Sequence, residues 1–187
     1  MELQKFGVKF FLKTRSSFDS KDFIPIFHNW IQNKIINDHL LIDVTDYSHI
    51  PDGPGIMLIA HEGYFSLDQE DHKPGIMYMR KTNIDGDFTQ RFVKVLTITI
   101  QAANHLRVNN INKQIDFAKN SFRFIANDRR LAENTPENQN LYQVEVQKAL
   151  AEVYSASEVE YDNISIENER LAFTVHFKTN IDMLDKN

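Results

Sequence analysis

Three strand-like segments follow one another between Gly55 and Lys81, and this run constrains the fold more than any other part of the chain. The segments are Gly55–Ala60, Tyr64–Leu67 and Gly75–Lys81. Gly63 marks the turn between the first two, and the polar run Asp68–Pro74 separates the second from the third. Connections this short join antiparallel neighbours, because parallel strands need a crossover of about a dozen residues or more. The sequence therefore predicts an antiparallel meander.

The tetrapeptide Pro-Gly-Ile-Met occurs twice in and next to this run, at Pro54–Met57 and at Pro74–Met77. The sequences on either side of the two copies differ, and a repeat architecture needs about three or more units. Each copy has a local explanation, because proline extends the residue before it, glycine permits a sharp turn and Ile-Met begins a strand. The repetition therefore predicts two strand starts within one meander, not a duplicated site.

The segments before the meander show a strand pattern, then a helix pattern. Residues 6–12 carry apolar side chains at alternate positions and predict a strand. The apolar residues of Asp22–Ile36 recur at helical spacing, and Pro25 is tolerable near the first turn. Leu40–Val44 is a candidate short strand. Tyr47–Gly55 is a predicted loop, because prolines and glycines alternate through its second half.

The segment Phe88–Arg107 favours a helix, although part of it also fits a strand. Asp87 is followed three residues later by Gln90, which is a capping-box pattern. Within the segment, residues 93–100 alternate and are rich in β-branched side chains, which suit strands. The capping pattern and the length of the apolar stripe favour the helix.

The last third of the chain predicts a strand, a helix and a hairpin. The segment SFRFIA places apolar side chains on one strand face. Thr135 is positioned to cap a helix that begins at Pro136. Two further strands are separated by a polar turn at Glu167–Arg170, and the residues from about Asn180 are expected to be frayed.

This order of elements predicts the α+β class. Adjacent strands with intervening helices indicate an antiparallel or mixed sheet with a central β-meander, covered by about three helices. The first part of the chain has the βαββαβ order of a ferredoxin-like fold. No linker rich in proline, glycine or serine interrupts the 187 residues, so we expect a single domain over residues 1–187.

Composition excludes several classes of protein. The chain has no cysteine, so disulfides, thiolate metal sites and a cysteine nucleophile are excluded. No apolar run approaches the roughly 20 residues of a membrane span, and the first residues lack a signal-peptide cleavage site. The formal net charge is −5, which disfavours nucleic-acid binding. We therefore expect a soluble cytoplasmic protein without nucleic-acid or membrane partners.

The richest polar cluster lies between residues 43 and 62 and includes His49, Asp52, His61 and Glu62. Histidine and carboxylate ligands suit zinc, iron or manganese, and a His–carboxylate pair is suited to acid–base catalysis. However, no known ligand spacing is present, and His61 and Glu62 would point to opposite faces of a strand. A solvated turn is the favoured interpretation. The alternative is a metal-dependent or acid–base enzyme, with His49, His61 and Glu62 as the metal ligands.

Arg129 and Arg130 follow a predicted strand and are candidates for binding an anion. The favoured interpretation is a polar strand end, whose Asp and Asn side chains bond to the loop backbone. The chain lacks the nucleophile-elbow motif, the dinucleotide-binding glycine pattern and the phosphate loop. We therefore expect no cofactor.

The aromatic content bears on the expected partners, since the chain has 14 Phe residues. Five residues could form a second apolar surface: Phe11, Tyr64, Phe65, Tyr78 and Met79. A sheet that is apolar on both faces must be covered on both sides. With only about three helices predicted, we expect another copy of the chain to cover the second face in a homo-oligomer, most simply a dimer. A pocket for a small apolar ligand is the competing use.

The stretches KFGVKFF, DYSHIPDGPGIMLIAHEGYFSLD and FIANDRRLAENT resemble a family of uncharacterised bacterial proteins of similar length. The resemblance covers most of the chain and implies a bacterial, cytoplasmic, single-domain protein. It implies no activity, cofactor or catalytic residue. The sequence therefore favours a non-catalytic binding or assembly module that self-associates, with the enzyme and the apolar-ligand protein as alternatives.

Overall fold

The computed structural model describes residues 1–13, 19–108, 115–154, 158–164, 169–178 and 182–185, which form one antiparallel sheet and three helices. The elements are β1 (Phe6–Phe11), α1 (Phe23–Asn33), β2 (Leu41–Tyr47), β3 (Gly55–Ala60), β4 (Gly63–Asp68), β5 (Gly75–Arg80), α2 (Phe88–Val108), β6 (Ser121–Ala126), α3 (Pro136–Tyr154), β7 (Val159–Ile164) and β8 (Ala172–Phe177). The eight described strands lie in the order β2-β3-β4-β5-β1-β6-β8-β7. The predicted α+β class is confirmed.

The middle of the sheet has ferredoxin-like connectivity. Strands β6, β1, β5 and β4 are neighbours in that order, with α1 following β1 and α2 joining β5 to β6. This is the βαββαβ arrangement expected from the sequence. A hairpin of β2 and β3 is inserted before β4, and β8 and β7 extend the opposite edge. The hairpin lengthens the predicted meander to four consecutive neighbouring strands, β2 to β5.

The capping box decides the structure of residues 93–100, which are helical. The Gln90 amide donates to Asp87 Oδ1 at 2.9 Å, and the Asp87 amide donates to Gln90 Oε1 at 3.0 Å. These reciprocal bonds satisfy two amides at the start of α2. Helix α1 ends earlier than predicted because Lys34 adopts a left-handed conformation, with φ of 50°.

The two Pro-Gly-Ile-Met copies both begin strands, since Gly55 is the first residue of β3 and Gly75 the first of β5. Gly55 has a φ of 62°, and a Cβ there would lie 2.2 Å from the Leu67 carbonyl oxygen. A Cβ on Gly75 would lie 2.3 Å from the Phe10 carbonyl oxygen. Both glycines are therefore required by close approach of a neighbouring strand.

The helices cover one face of the sheet, and most aromatic side chains are buried there. Phe65 and Tyr78 lie on this covered face, because they pair across β4 and β5 in line with Val8 of β1. The prediction that Phe65 and Tyr78 belong to a second apolar surface is therefore wrong. The fully buried aromatic side chains include Phe6, Phe10, Trp30, Phe65, Phe92, Phe122 and Phe124.

The opposite side of the sheet, here called the second face, mixes apolar and charged side chains. The strand register aligns one row across it: Met57, Ser66, Met77, Lys9, Arg123 and Thr174. Met77, Met79 and Ile125 are 3%, 0% and 2% exposed in the single chain. The centre of this face is therefore buried without a second copy, and the homodimer stays a prediction.

The end of the chain is only partly described, because residues 179–181 and 186–187 lie outside the described ranges, as do residues 167 and 168 of the predicted hairpin turn. The Met183 amide donates to the Lys119 carbonyl at 2.9 Å. Met183 and Leu184 are buried. The described part of the segment expected to be frayed thus packs into the core.

Buried tyrosines predict a loss of stability at alkaline pH. Burial raises the pKa of Tyr161 to about 12, and it also raises the pKa of Tyr64, Tyr78, Tyr142 and Tyr154 above the ordinary 10.0. Below pH 10 each phenol is protonated in both states, so its stabilisation is complete. Above pH 10 the unfolded chain releases protons that the folded chain keeps, and the free energy of unfolding falls.

Urea unfolding between pH 9 and 11 checks this expectation. Replacing Tyr161 by phenylalanine removes its hydrogen bond to the Gln143 carbonyl at every pH, but it should also make the alkaline decline shallower. Leu141→Ala, an exposed substitution that removes no phenol, is the control and should leave the slope as in the wild type. An unchanged slope in Tyr161→Phe would contradict the assignment.

Candidate functional site

A cleft of about 390 Å³ opens on the second face, above β6 and β8. Ile125 of β6 and Ala172 of β8 form its apolar floor, and charged residues surround them. The connection between β4 and β5, residues 69–74, crosses β1 to form one wall. We call this connection the strap. The charged and histidine residues of the lining are Asp52, Glu70, Asp71, His72, Arg123, Glu169 and Arg170.

Ion pairs hold the strap against the sheet. Asp71 Oδ2 accepts from Arg123 Nη1 at 2.6 Å. Both carboxylate oxygens of Glu70 lie within reach of Arg170 Nη2, at 3.1 and 3.3 Å. Two arginines from separate parts of the chain thus meet two consecutive carboxylates.

The strap adopts a backbone conformation that is unfavourable for its residues. Asp71 and His72 have φ of 58° and 53°, in the left-handed region that non-glycine residues rarely occupy. Such residues persist only where surrounding contacts hold them. His72 Nδ1 lies 2.9 Å from Asp52 Oδ1, and the Glu70 amide donates to Asp68 Oδ2 at 3.3 Å. The conformation of the strap therefore depends on its ionic and capping contacts.

Arg123 and Lys9 form a buried positive centre beneath the strap. They are direct partners in the β1–β6 register and are 3% and 0% exposed. The Phe11 ring lies against both, 5.3 Å from Arg123 Cζ and 5.8 Å from Lys9 Nζ. Lys9 pairs with Asp68, yet burial keeps the pKa of Lys9 below its ordinary 10.5.

Arg123 has an unused hydrogen-bond donor. Its Nε is buried and has no hydrogen-bond partner among the residues that the structure describes. Buried guanidinium donors are normally bonded, so an unbonded one at a cleft marks a place where an acceptor would be stabilised.

The four candidates from the 43–62 region are not assembled into one site. Asp52 lines the cleft, but it pairs with His72 and not with His49, whose ring lies 6.3 Å from that of Tyr47. His61 is exposed, and its amide donates to the Leu40 carbonyl at 2.9 Å. Sequence reasoning thus identified one residue of the cleft.

Glu62 binds backbone rather than a catalytic partner, since its Oε2 accepts from the Leu40 amide at 2.9 Å. Burial acts to raise the pKa of Glu62, but hydrogen bonds from the Glu62 and Leu40 amides hold that pKa below its usual range. Within the described ranges, no three His, Asp or Glu side chains are placed to hold a metal ion. The structure therefore does not gather His49, His61 and Glu62 into a ligand set.

Arg129 and Arg130 lie exposed in the turn after β6. Asp128 Oδ1 accepts from the Arg130 amide at 3.1 Å and from the Leu131 amide at 3.2 Å. This is the backbone-bonding loop that the sequence favoured for these residues. Neither arginine is among the residues that line the cleft.

A second polar group involves Tyr78 on the helix-covered side. Its hydroxyl lies 2.7 Å from His39 Nε2 and accepts from Arg80 Nη1 at 3.3 Å. Burial lowers the pKa of His39 and raises that of Tyr78. Because Tyr78 is fully buried, this group fastens the loop before β2 to the sheet.

Comparison with known proteins adds no family to this picture, since no family model and no curated protein matches the chain. None of the described helices combines the length and apolar character needed to cross a membrane.

Proposed function

We propose that the protein is a non-catalytic binding protein, and that the second-face cleft holds a small polar ligand with an anionic group. One observation carries the proposal: Arg123 is 3% exposed, lines the cleft and keeps an unbonded Nε. Guanidinium groups bind carboxylates and phosphates through two parallel hydrogen bonds, which makes arginine the usual anion-binding side chain.

The shape and lining of the cleft support a small ligand. A volume of about 390 Å³ is near the lower end of ordinary ligand pockets. The Ile125 and Ala172 floor would contact the apolar part of such a ligand, while Arg123 and Arg170 would bind its charged part. Placed charges around an apolar floor orient a ligand more than they increase its affinity.

The absence of a hydroxyl, thiol or amine among the described lining residues supports binding over covalent catalysis by such groups. The lining carboxylates Asp52, Glu70 and Asp71 are paired with His72, Arg170 and Arg123. The described residues that line the cleft include no serine, threonine, tyrosine or lysine. Its histidine, His72, has 87% of its side chain exposed at the rim.

Isothermal titration calorimetry with acetate and inorganic phosphate tests the proposal. We expect weak binding to the wild type and binding about tenfold or more weaker to Arg170→Gln, because a charge-assisted hydrogen bond is lost. Arg170 is suited to this test because it is partly exposed, at 28% of its side chain, so its loss leaves the core intact. Arg129→Gln removes an exposed arginine outside the cleft and serves as the control. Equal affinities in the wild type and Arg170→Gln would refute the cleft as the site.

Self-association is a separate part of the proposal. Leu40 and Ile42, at edge strand β2, are 64% and 55% exposed, which supports contact with a second copy there. Asp43 and Asp46 on the same strand oppose direct strand pairing, because like charges would face each other. Contact through side chains is therefore the form of dimer that this edge favours.

A further inference from the structure

We infer that the ligand of the cleft is a dicarboxylate, and that Glu70 and Asp71 of the strap occupy its two anion positions in the structure. This inference rests on the proposed function, since it names the chemical class bound at the same site. The carboxylates of Glu70 and Asp71 thus occupy the positions that the two carboxylates of the ligand would take.

The first argument is the pairing geometry. Arg123 contacts Asp71 at 2.6 Å, and Arg170 contacts both oxygens of Glu70 at 3.1 and 3.3 Å. Arg123 lies on β6 and Arg170 lies just before β8, so the fold brings the two arginines together. Each is matched by a separate carboxylate, which a single small anion would not replace.

The second argument is how the charges are paired. Lys9, Arg123 and Arg170 pair with Asp68, Asp71 and Glu70, while the other lining carboxylates are Asp52, beside His72, and Glu169. Asp68 belongs to β4 and stays with Lys9 if the strap moves. Opening the strap would therefore remove the carboxylates that contact the two arginines, and the two carboxylates of a ligand would take their place.

The third argument is that the strap is a competitor that can be displaced. Asp71 and His72 hold left-handed conformations that relax when the strap opens. The unbonded Nε of Arg123 shows that Asp71 does not use all of the donors on this guanidinium. A free carboxylate with two oxygens is able to bond to both Nε and an Nη of the same arginine. The ligand would therefore satisfy Arg123 better than the strap does.

Calorimetry with succinate and glutarate, at constant ionic strength, tests the inference against acetate and inorganic phosphate. In the double variant Glu70→Gln, Asp71→Asn the internal competitor is neutralised, and we expect succinate or glutarate to bind about tenfold or more tightly than to the wild type. Acetate should gain less, because it occupies one position. Glu152→Gln removes an exposed carboxylate on α3 and should change nothing.

Circular dichroism and thermal melting establish that the double variant is folded. Should it fail to fold, the single variant Glu70→Gln keeps the pair of Asp71 with Arg123, and we expect about a threefold gain for the dicarboxylates. A gain in either variant that disappears when Arg170→Gln is added supports the inference.

Two results overturn the inference, and they differ in what they leave standing. If acetate or phosphate binds in an Arg170-dependent manner but neither dicarboxylate binds more tightly than acetate, the ligand class is wrong and the cleft remains a binding site. If no anion binds to the wild type or to the folded strap variant, both the inference and the proposed function fail.

Discussion

Replacing Asp68 by alanine is expected to lower the free energy of unfolding by about 3–5 kcal/mol. Lys9 is fully buried, and its ammonium pairs with Asp68, whose side chain is 5% exposed. The other nearby groups are weaker partners, namely the Glu70 carbonyl at 3.4 Å and the Phe11 ring. Without Asp68 the fold would retain a buried positive charge beside Arg123, its neighbour across the strands. This loss is a large fraction of the stability of an ordinary domain.

The size of the loss should depend on pH. Burial lowers the pKa of Lys9 from 10.5, and the Asp68 carboxylate opposes that shift. Removing the carboxylate therefore lowers the pKa of Lys9 further. Between the lowered folded pKa and 10.5, the unfolded chain binds more protons, so stability rises with pH. Urea unfolding at pH 7 and pH 9 should show a steeper rise in Asp68→Ala than in the wild type.

A double variant distinguishes the net contribution of the ion pair to stability from the cost of leaving one buried charge without its partner. Lys9→Met with Asp68→Leu replaces both charges by apolar side chains, and we expect its stability to lie within about 1 kcal/mol of the wild type or above it. The pair of Lys148, whose side chain is 60% exposed, and half-buried Glu145 is the control, and Lys148→Ala should cost less than about 1 kcal/mol. If Asp68→Ala cost no more than Lys148→Ala, the ion pair would not be energetically important.

The elements of this fold were predictable where local signals decide them. The meander, the α2 capping box and the Pro-Gly-Ile-Met strand starts depend on residues a few positions apart, and the structure forms all of them. The length of α1 was less predictable. Its end depends on the left-handed conformation of Lys34, a residue type that gives no such signal.

The cleft was not predictable from local spacing, because its residues meet only through the sheet order. Asp71 reaches Arg123 across β1, and that contact requires β1 to lie between β5 and β6. The histidines and carboxylates of residues 43–62 are dense in sequence, but closeness in sequence does not bring their side chains together in the fold. A weaker signal was present: Lys9 and Arg123 are the charged residues of two predominantly apolar strands. A charge inside such a strand indicates a buried pair, but the partner depends on register.

The other large loss of stability is expected on replacing Phe124, which lies in the core between the sheet and the helices. Its ring centroid lies between 5.0 and 6.2 Å from those of five aromatic side chains, and it is fully buried. These five are Phe6, Phe88, Phe92, Tyr142 and Phe173. The contacts join β1, α2, α3 and β8 through one side chain on β6. Aromatic pairs of this kind add about 0.5–1.5 kcal/mol each beyond area burial.

We therefore expect Phe124→Ala to cost about 3–5 kcal/mol, at the upper end of that range, because the surrounding rings belong to four elements and close the cavity poorly. Phe124→Leu keeps most of the volume and should cost roughly half as much or less. Leu141→Ala, on the exposed side of α3, should stay within about 0.5 kcal/mol of the wild type. Urea unfolding measures all three. If Phe124→Ala is too unstable to purify, the comparison of Phe124→Leu with Leu141→Ala still tests the prediction. Equal small losses of stability in these two variants would contradict it, because they would mean that the core rearranges to fill the space left by the Phe124 ring.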